Sequence, residues 1–582
     1  MNHFNHFKTV IETALKALEK EGTLPSGLDF SRITAEPPRD ISHGDVATNA
    51  ALVLSKEVQK PPREVAELLA NKLRHHESVA QVEIAGAGFI NTHFKPSFWI
   101  ERLQDILSSG ESYGTSALGH DQVVNVEYVS TNPTGPLHVG HCRVAVFGDV
   151  LCALLKRVGY TVIKEYYVND AGAQIDKLAQ SVYQRYLEAL GHSIGEIEGY
   201  PGDYLIPVGE KIAKNEGDKW MSRSLEDYLP YFRDVAVKEM MALIRTDLDL
   251  LGVHQDVFTS EKAIIEKGAV EEALEILKEQ GLLYRGILEP PKGKVIEDWE
   301  EREQLLFKST AFGDDVDRPL QKSDGTWTYF TPDIAYHYDK YKRGATILID
   351  VLGADHAGYV KRVSSAVKAI SREKADVDVK ICQLVKFMEN GQPMKMSKRA
   401  GNFISVKEVV DKVGKDVLRF MMLTRKNDAP LDFDFAKVVE KSKDNPVFYI
   451  QYAHARIHSV KRQVKKIFPS LLSDKQTLST LDFETHLDKE AEMPLVKILA
   501  GWPRQMEVAA LAHEPHRLAF YLYEIAAVFH ALWNRGKEEA TLRFIHDQDI
   551  EKTKVKIALL QAVANVLRSG LNIFGVEAVE EM

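Results

Sequence analysis

Cysteine is nearly missing from this chain: Cys142, Cys152 and Cys382 are the only three in 582 residues. None is spaced Cys-x-x-Cys, so neither a disulfide framework nor a structural zinc site is expected. No apolar run approaches the roughly 20 residues that span a bilayer. The start, Met1-Asn2-His3-Phe4-Asn5-His6-Phe7, lacks the basic head and long apolar stretch of a signal peptide. Internal repeats and low-complexity tracts are absent too. So is a basic excess: 74 Lys and Arg face 84 Asp and Glu, a net charge of −10. That disfavours indiscriminate polyanion binding, although a local patch can still meet RNA in a salt-sensitive way. These absences predict a cytoplasmic protein with no membrane partner and no protein-bound structural metal. With 45% hydrophobic and 27% charged residues the chain should fold throughout. Its length suggests about three domains rather than one.

What is present is organised around Asn132-Pro-Thr-Gly-Pro-Leu-His-Val-Gly-His141. Before it, Val123 to Val129 is rich in β-branched and aromatic residues and reads as a buried strand. After it, Val144, Phe147, Leu151, Leu154, Leu155 and Val158 recur at helical steps, with Gly159 as a stop. The loop therefore feeds a helix N-terminus, where free N–H groups and the helix dipole favour an anionic guest. Composition alone would produce His-x-Gly-His about 0.04 times per chain. Alone it could be a helix cap with two solvated histidines. A second signal follows far downstream, Lys395-Met-Ser-Lys398.

Residues 1–113 read as a small α+β domain: a helix from His3 to Lys20, helices from Ala50 and from Arg63, then alternating strands around Gly86 and Gly88. A central α/β domain, 114–444, follows. Thr161 to Val168 is its second strand, and strand–helix–strand implies a right-handed crossover and a parallel sheet. Ligands of such sheets bind beyond the carboxyl ends of the strands. Residues 175–308 turn helical and charged and read as an insertion. The sheet is then expected to resume with Thr326–Phe330, Ala345–Leu352 and Val377–Met388. From 445 to 582 the chain reads as an all-α bundle, with a basic run at Lys461, Arg462, Lys465 and Lys466 and an apolar stripe stopping at Gly570.

Placed at one sheet edge, these residues suit nucleotide chemistry, which needs positioning and charge stabilisation more than covalent help. His138 and His141 can donate to α-phosphate oxygens. Gly140 admits close approach of a nucleotide. Lys395 and Lys398 can neutralise a leaving pyrophosphate, and Ser397 can hydrogen-bond it. Gly353, Asp355 and His356 end another strand at the same edge. Mg²⁺ would accompany the triphosphate. Glu127 and Asp333 are acids placed to face a cationic substrate, and a guanidinium is best read by carboxylates.

The His-x-Gly-His and Lys-Met-Ser-Lys pair resembles the signature of class I aminoacyl-tRNA synthetases. The resemblance narrows with Val-Glu-Tyr-Val-Ser-Thr-Asn-Pro-Thr-Gly-Pro, Gly-Asp-Asp-Val-Asp-Arg (313–318), Tyr-Phe-Thr-Pro-Asp-Ile-Ala-Tyr-His and Asn-Pro-Val-Phe-Tyr-Ile-Gln-Tyr-Ala-His-Ala-Arg-Ile. These are similar to bacterial arginyl-tRNA synthetases along essentially the whole chain. The resemblance implies ATP-dependent activation of arginine and transfer to the 2′-OH of the terminal adenosine of tRNA(Arg). It implies that Asn132 holds the amino-acid backbone, that Tyr329 and Asp333 hold the guanidinium, and that Glu127 is the neighbouring acid. It makes the first domain a contact for the tRNA D-loop, through Phe89 and Asn91, and the last an anticodon reader that includes Arg456. For Phe89 core packing is the competing expectation. The family also implies tRNA-dependent activation, and a monomer suits three domains along one tRNA. Rival readings are a cysteinyl or methionyl enzyme, a tRNA-independent nucleotidyltransferase, and a non-catalytic RNA-binding relative. Scattered cysteines weigh against the cysteinyl enzyme, two extra domains against the nucleotidyltransferase, and intact motif residues against the last.

Overall fold

The computed structural model describes residues 2–288, 302–394, 404–442, 444–469 and 481–582. At the N-terminus the helix His3–Lys20 buries Phe7, Ile11, Leu15 and Leu18, and the helices Ala50–Val58 and Pro62–Leu73 join it. They cover a four-stranded antiparallel sheet ordered Ala35–Glu36, Val46–Thr48, Phe89–Phe94, Val79–Ala85.

The central sheet contains β1 (Val123–Tyr128), β2 (Thr161–Val168), β3 (Val257–Ser260), β4 (Ile347–Gly353) and β5 (Asp376–Cys382). All pairs are parallel and the order is β5-β4-β1-β2-β3. The helix α1 (Cys142–Arg157) returns from β1 to β2 with twelve buried residues. It lies so close that a Cβ on Gly148 would come within 2.3 Å of the Tyr128 ring.

Three expectations are corrected here. The sheet resumes at β3, inside the stretch read as an insertion; its four residues are too short to stand out between charged helices. Thr326–Phe330 is no strand: Trp327 makes one isolated bridge with Gln321, and Phe330 already opens the helix α3 (Phe330–Lys342). Val377–Met388 is two strands. β5 ends at Cys382, and Val385–Glu389 belongs to another sheet, with Gln392–Pro393 and Leu431–Asp434. The inserted helices include a 27-residue helix, α2 (Leu225–Leu251), opened by a Ser224–Asp227 capping box.

The C-terminal bundle contains α4 (Pro446–Ile467), α5 (His516–Glu538) and α6 (Ile550–Phe574). Gly570 does not stop α6. It lets Leu522 approach, and Gly575, at φ +64°, ends the helix. By length and composition α6 is apolar enough to cross a membrane, but 83% of its most apolar window is packed inside the protein. One hydrophobic core runs through all three parts of the chain, from Phe4 through Leu151 to Phe574. Polar contacts join the ends: Asn2 donates to Glu507 at 2.7 Å, and Lys497 pairs with Asp45 at 2.6 Å.

Candidate active site

The chain runs from β1 outward to β3, then returns to the other flank of β1 for β4 and β5. The order reverses between β1 and β4, and beyond their carboxyl ends is where sheets of this kind take their ligands. The loop after β1 begins under strain. Val129 and Ser130 hold φ of +75° and +39°, which costs a β-branched valine of the order of 1–3 kcal/mol. The surroundings impose it: Tyr167 N–H donates to Ser130 Oγ at 3.0 Å, and Tyr166 Oη donates to the Thr131 carbonyl at 2.8 Å. Asn132 then donates to Gln174 at 2.9 Å, and Tyr204 Oη donates to the Thr134 carbonyl at 2.8 Å.

Both histidines are fixed by their own loop. Gly140 N–H donates to His138 Nδ1 at 3.1 Å, and His138 N–H donates to His141 Nδ1 at 3.2 Å. The rings stack with centroids 3.8 Å apart. Since Nδ1 accepts in each, the neutral ring carries its proton on Nε2, as these hydrogen bonds assign it. Two Nε2–H donors are thus set side by side at a helix N-terminus.

Lys395, Ser397 and Lys398 lie outside the described residues. The segments beside them are placed. Met394 N–H donates to Phe387 O at 2.9 Å, Val139 N–H donates to Ile404 O at 2.9 Å, and His138 bridges Ser405. The chain from Ile404 onward is therefore joined to the histidine loop by backbone pairing. Gly353 ends β4, and Asp355 and His356 follow with their side chains exposed and 3.5 Å apart.

The other wall is acidic. Tyr329 is 67% exposed, accepts from Asn169 Nδ2, and precedes α3. Asp333, in the first turn, is pushed up to about 7 by burial and by the carboxylates of Glu127, Glu261 and Asp350, against an opposing pull from His337. Glu261, after β3, is likewise pushed up to about 7 by burial and by Asp170. Among the described residues neither carboxyl takes part in an ion pair. Glu127 differs from expectation: it is buried, and its carboxylate is bonded by Lys340 Nζ at 2.6 Å.

Of the outlying residues, Phe89 is 48% exposed, so core packing does not claim it, whereas Asn91 is 5% exposed within the sheet. An Asn91 side chain so buried is poorly placed to read a base. Arg456 donates to Tyr452 Oη at 2.9 Å and lies 4.1 Å over that ring.

Sequence reasoning missed several residues. Asp247, on α2, accepts from Leu137 N–H at 2.8 Å and so holds the loop one residue before His138; its own carboxyl is pushed up to about 6 by burial. Arg143 donates to Gln383 O and Ala429 O, each at 2.8 Å, and to Lys426 O at 2.9 Å. Arg419 donates to Phe574 O at 2.6 Å, Leu251 O at 2.8 Å and Asp149 at 2.7 Å. A lone acid or Arg on an apolar helix face was the available signal, but the partners lie over 100 residues away. Glu261 would have been legible had β3 been recognised, since it then falls at the ligand edge.

A parallel sheet with paired histidines at its reversal point defines the class: residues 102–432 match the family described as "tRNA synthetases class I (R), catalytic domain". Residues 5–94 match "Arginyl tRNA synthetase N terminal domain", and 450–582 match "DALR anticodon binding domain". Full-length curated relatives agree. The chain is 57% identical to "Arginine--tRNA ligase" of Parvibaculum lavamentivorans and 54% identical to that of Rhodospirillum rubrum, in both cases over 100% of each chain. The fold also resembles the solved Thermus thermophilus arginyl-tRNA synthetase, with TM-score 0.72 and 19% identity over 99% of both chains. The chain belongs to the arginyl-tRNA synthetase family, and its activity is that of an arginine–tRNA ligase, which uses ATP.

Gly140 provides a first test of the histidine geometry. A Cβ there would lie 2.8 Å from His138 Cε1 and 2.9 Å from its Nδ1. Gly140→Ala should turn that ring and lower kcat for adenylate formation about tenfold to a hundredfold, less than the roughly hundredfold to thousandfold loss from removing such a donor outright. KM for arginine should stay within about threefold. Pyrophosphate exchange measures both.

Proposed function

We propose that arginine is activated beyond the carboxyl ends of β1 and β4. A carboxylate oxygen of arginine attacks the α-phosphorus of ATP, the bond to pyrophosphate breaks, and arginyl-adenylate forms. His138 and His141 donate through Nε2 to the α-phosphate as charge builds there. Gly140 gives the nucleotide room, and Gly353, Asp355 and His356 hold its far side. Lys395, Ser397 and Lys398 stabilise the departing pyrophosphate. Mg²⁺ travels with the ATP phosphates and offsets their charge. Among the described residues the one group spaced for a metal is Glu127, His337 and Asp350, and its two carboxylates hold Lys340 Nζ instead. Asn132 holds the amino-acid backbone, and Tyr329 and Asp333 hold the guanidinium, with Glu127 behind. The terminal 2′-OH of tRNA(Arg) then attacks the carbonyl carbon and AMP leaves.

The observation that carries this reading is the acid pair Asp333 and Glu261, in which Glu261 raises the proton affinity of Asp333, as does Glu127 near the end of β1 that leads into the histidine loop: it asks for one more cation, and arginine supplies it. The test is pyrophosphate exchange with each amino acid in turn, with and without total tRNA. Exchange with arginine alone, dependent on tRNA, supports both the pocket and the coupling. Exchange with another amino acid would sink the pocket assignment.

We read residues 1–113 as the D-loop contact, 114–444 as the catalytic domain with the insertion shortened by β3, and 445–582 as the anticodon reader through Arg456. Phe89 is the exposed stacking residue of the first domain, with Asn91 in a supporting place. Phe89→Ala should raise KM for tRNA about tenfold, as loss of one base–aromatic stack does, with arginine and ATP constants unchanged. Steady-state aminoacylation checks it. The buried unpaired thiols Cys142, Cys152 and Cys382 favour a cytoplasmic setting. A monomer is favoured because the N-terminal part finds its packing partner in the same chain, at Ala500 and Glu507.

A further inference from the structure

A parallel sheet covered on both faces ordinarily carries near-continuous Val, Ile and Leu. Three neighbouring strands here carry acids abreast. Asp350 of β4 is in register with Glu127 of β1, and Glu127 with Glu165 of β2. All three are buried. Like charges directly opposite destabilise a sheet, and buried charges are costly unless each is matched.

One helix supplies the match. His337, Lys340 and Arg343 recur at steps of three along α3 and its C-cap. Lys340 Nζ bonds Glu127 at 2.6 Å and Asp350 at 3.0 Å. Arg343 bonds both oxygens of Glu165 at 2.8 Å. His337 faces the Asp333 carbonyl with Nδ1 at 2.8 Å and Asp350 with Nε2 at 2.9 Å. Both nitrogens meet acceptors, and although burial and Lys340 oppose it, Asp350 raises the ring above the usual imidazole range, which favours the cation. Burial would push Asp350 up, but Lys340 and His337 hold it below the usual carboxylate range. The acid row is thus neutralised on the spot. Asp333 starts the same helix, and neither it nor Glu261 has an ion pair among the described residues.

We propose that Lys340, with His337 beside it, is a positioning residue for arginine: together with Arg343 on Glu165, the two cations cancel the acid row beneath the pocket and confine unmatched negative charge to Asp333 and Glu261. This rests on reading Asp333 as the acid that receives the guanidinium. Removing the Lys340 charge would spread negative potential under the pocket, and the pocket acids would keep their protons. The groups that face them are Glu127 from β1, Tyr167 from β2 and Asp170 just after it, Asp350 from β4, and Tyr329 and His337 on or before α3, with Lys340 acting through Glu127 and Asp350.

The experiment measures arginine KM, ATP KM and kcat from pH 6 to 9 in the full-length enzyme with tRNA. Lys340→Met should raise arginine KM about tenfold at pH 7 and move the acidic limb of its profile to higher pH, with kcat and ATP KM within about threefold. Lys340→Met combined with Asp350→Asn removes one charge of each sign and should bring arginine KM back to within about threefold of the parent. A packing role alone predicts a double variant at least as impaired as the single, and that result overturns the proposal. So does an unmoved pH profile in folded Lys340→Met. If that variant does not accumulate folded, His337→Gln decides. It keeps a neutral donor toward Asp350 and should show the same limb shift; an unshifted limb counts against the proposal. Asp333→Asn runs alongside: if it too leaves arginine KM unchanged, the pocket assignment fails, whereas a raised KM there with no Lys340 effect sinks only this inference.

Discussion

Asp333→Asn should lower kcat/KM for arginine roughly a hundredfold, because losing one partner of a desolvated charge pair costs about 3 kcal/mol. The amide keeps the shape of the carboxyl and removes its charge, so ATP KM should hold within about threefold. The parent enzyme should show the same dependence through pH. Asp333 and Glu261 are each pushed up to about 7, so below that pH the empty pocket is protonated and arginine must displace a proton to bind. Arginine KM should therefore rise as pH falls through 7, by up to about tenfold per unit for one proton. In Asp333→Asn that limb should flatten. Calorimetry in buffers of different ionisation enthalpy should detect proton release on arginine binding near neutral pH. No release at pH 6.5, and a flat KM profile, would refute the assignment.

The largest effect on stability is expected from Arg419→Leu. This buried guanidinium closes the C-terminal carbonyls of α2 and α6 at once, and also pairs with Asp149 on α1. It sits at the negative ends of two helix dipoles, where a cation is favoured. A Cβ on Gly575 would come within 2.7 Å of its Nε, so the helix end is shaped to admit it. Leucine fills part of the volume but leaves Asp149 with Lys164 alone at 2.8 Å and two carbonyls without their donor. Breaking a buried pair of this kind costs about 3–5 kcal/mol. Because the three helices come from the inserted segment, the C-terminal bundle and the α1 layer, the loss should also uncouple them. Thermal unfolding should fall by several degrees and broaden or split. A single transition at the parent temperature would refute this joint. Lysine at 419 would not substitute, since one ammonium cannot present the guanidinium fork to three acceptors in fixed directions.

Much of this was legible in the sequence. The helix His3–Lys20, the strand Thr161–Val168 and the helix Ala50–Val58 fall where periodicity put them, because each carries a long, one-sided apolar pattern. β3 was not legible: Val257-Phe258-Thr259-Ser260 is four residues long, and its pairing with β2 spans over 90 positions. Thr326–Phe330 misled for a related reason. β-branched and aromatic residues follow a turn there, but Tyr329 and Phe330 turn into a helix once Thr331 Oγ1 bonds back to Leu320 O at 2.6 Å. At the site, residue types pointed to the histidine loop and to Asp333, because each lies where a strand ends or a helix begins. The cations that balance the acids did not stand out. Lys340 and Arg343 look like any solvated helix face until the sheet beneath them is known.

The interlocked histidines have a consequence for the cost of catalysis. A side chain recruited only when substrate arrives must give up its rotamer freedom at that moment and shed its waters, and the barrier includes both. His138 and His141 have already settled their orientation during folding, each ring pinned by a backbone N–H of its own loop. On the proposed reading, in which they meet the α-phosphate of ATP, that reorganisation is removed from the reaction coordinate. An asparagine or glutamine in their place could offer a donor of similar strength. It would have to find its orientation anew in every turnover.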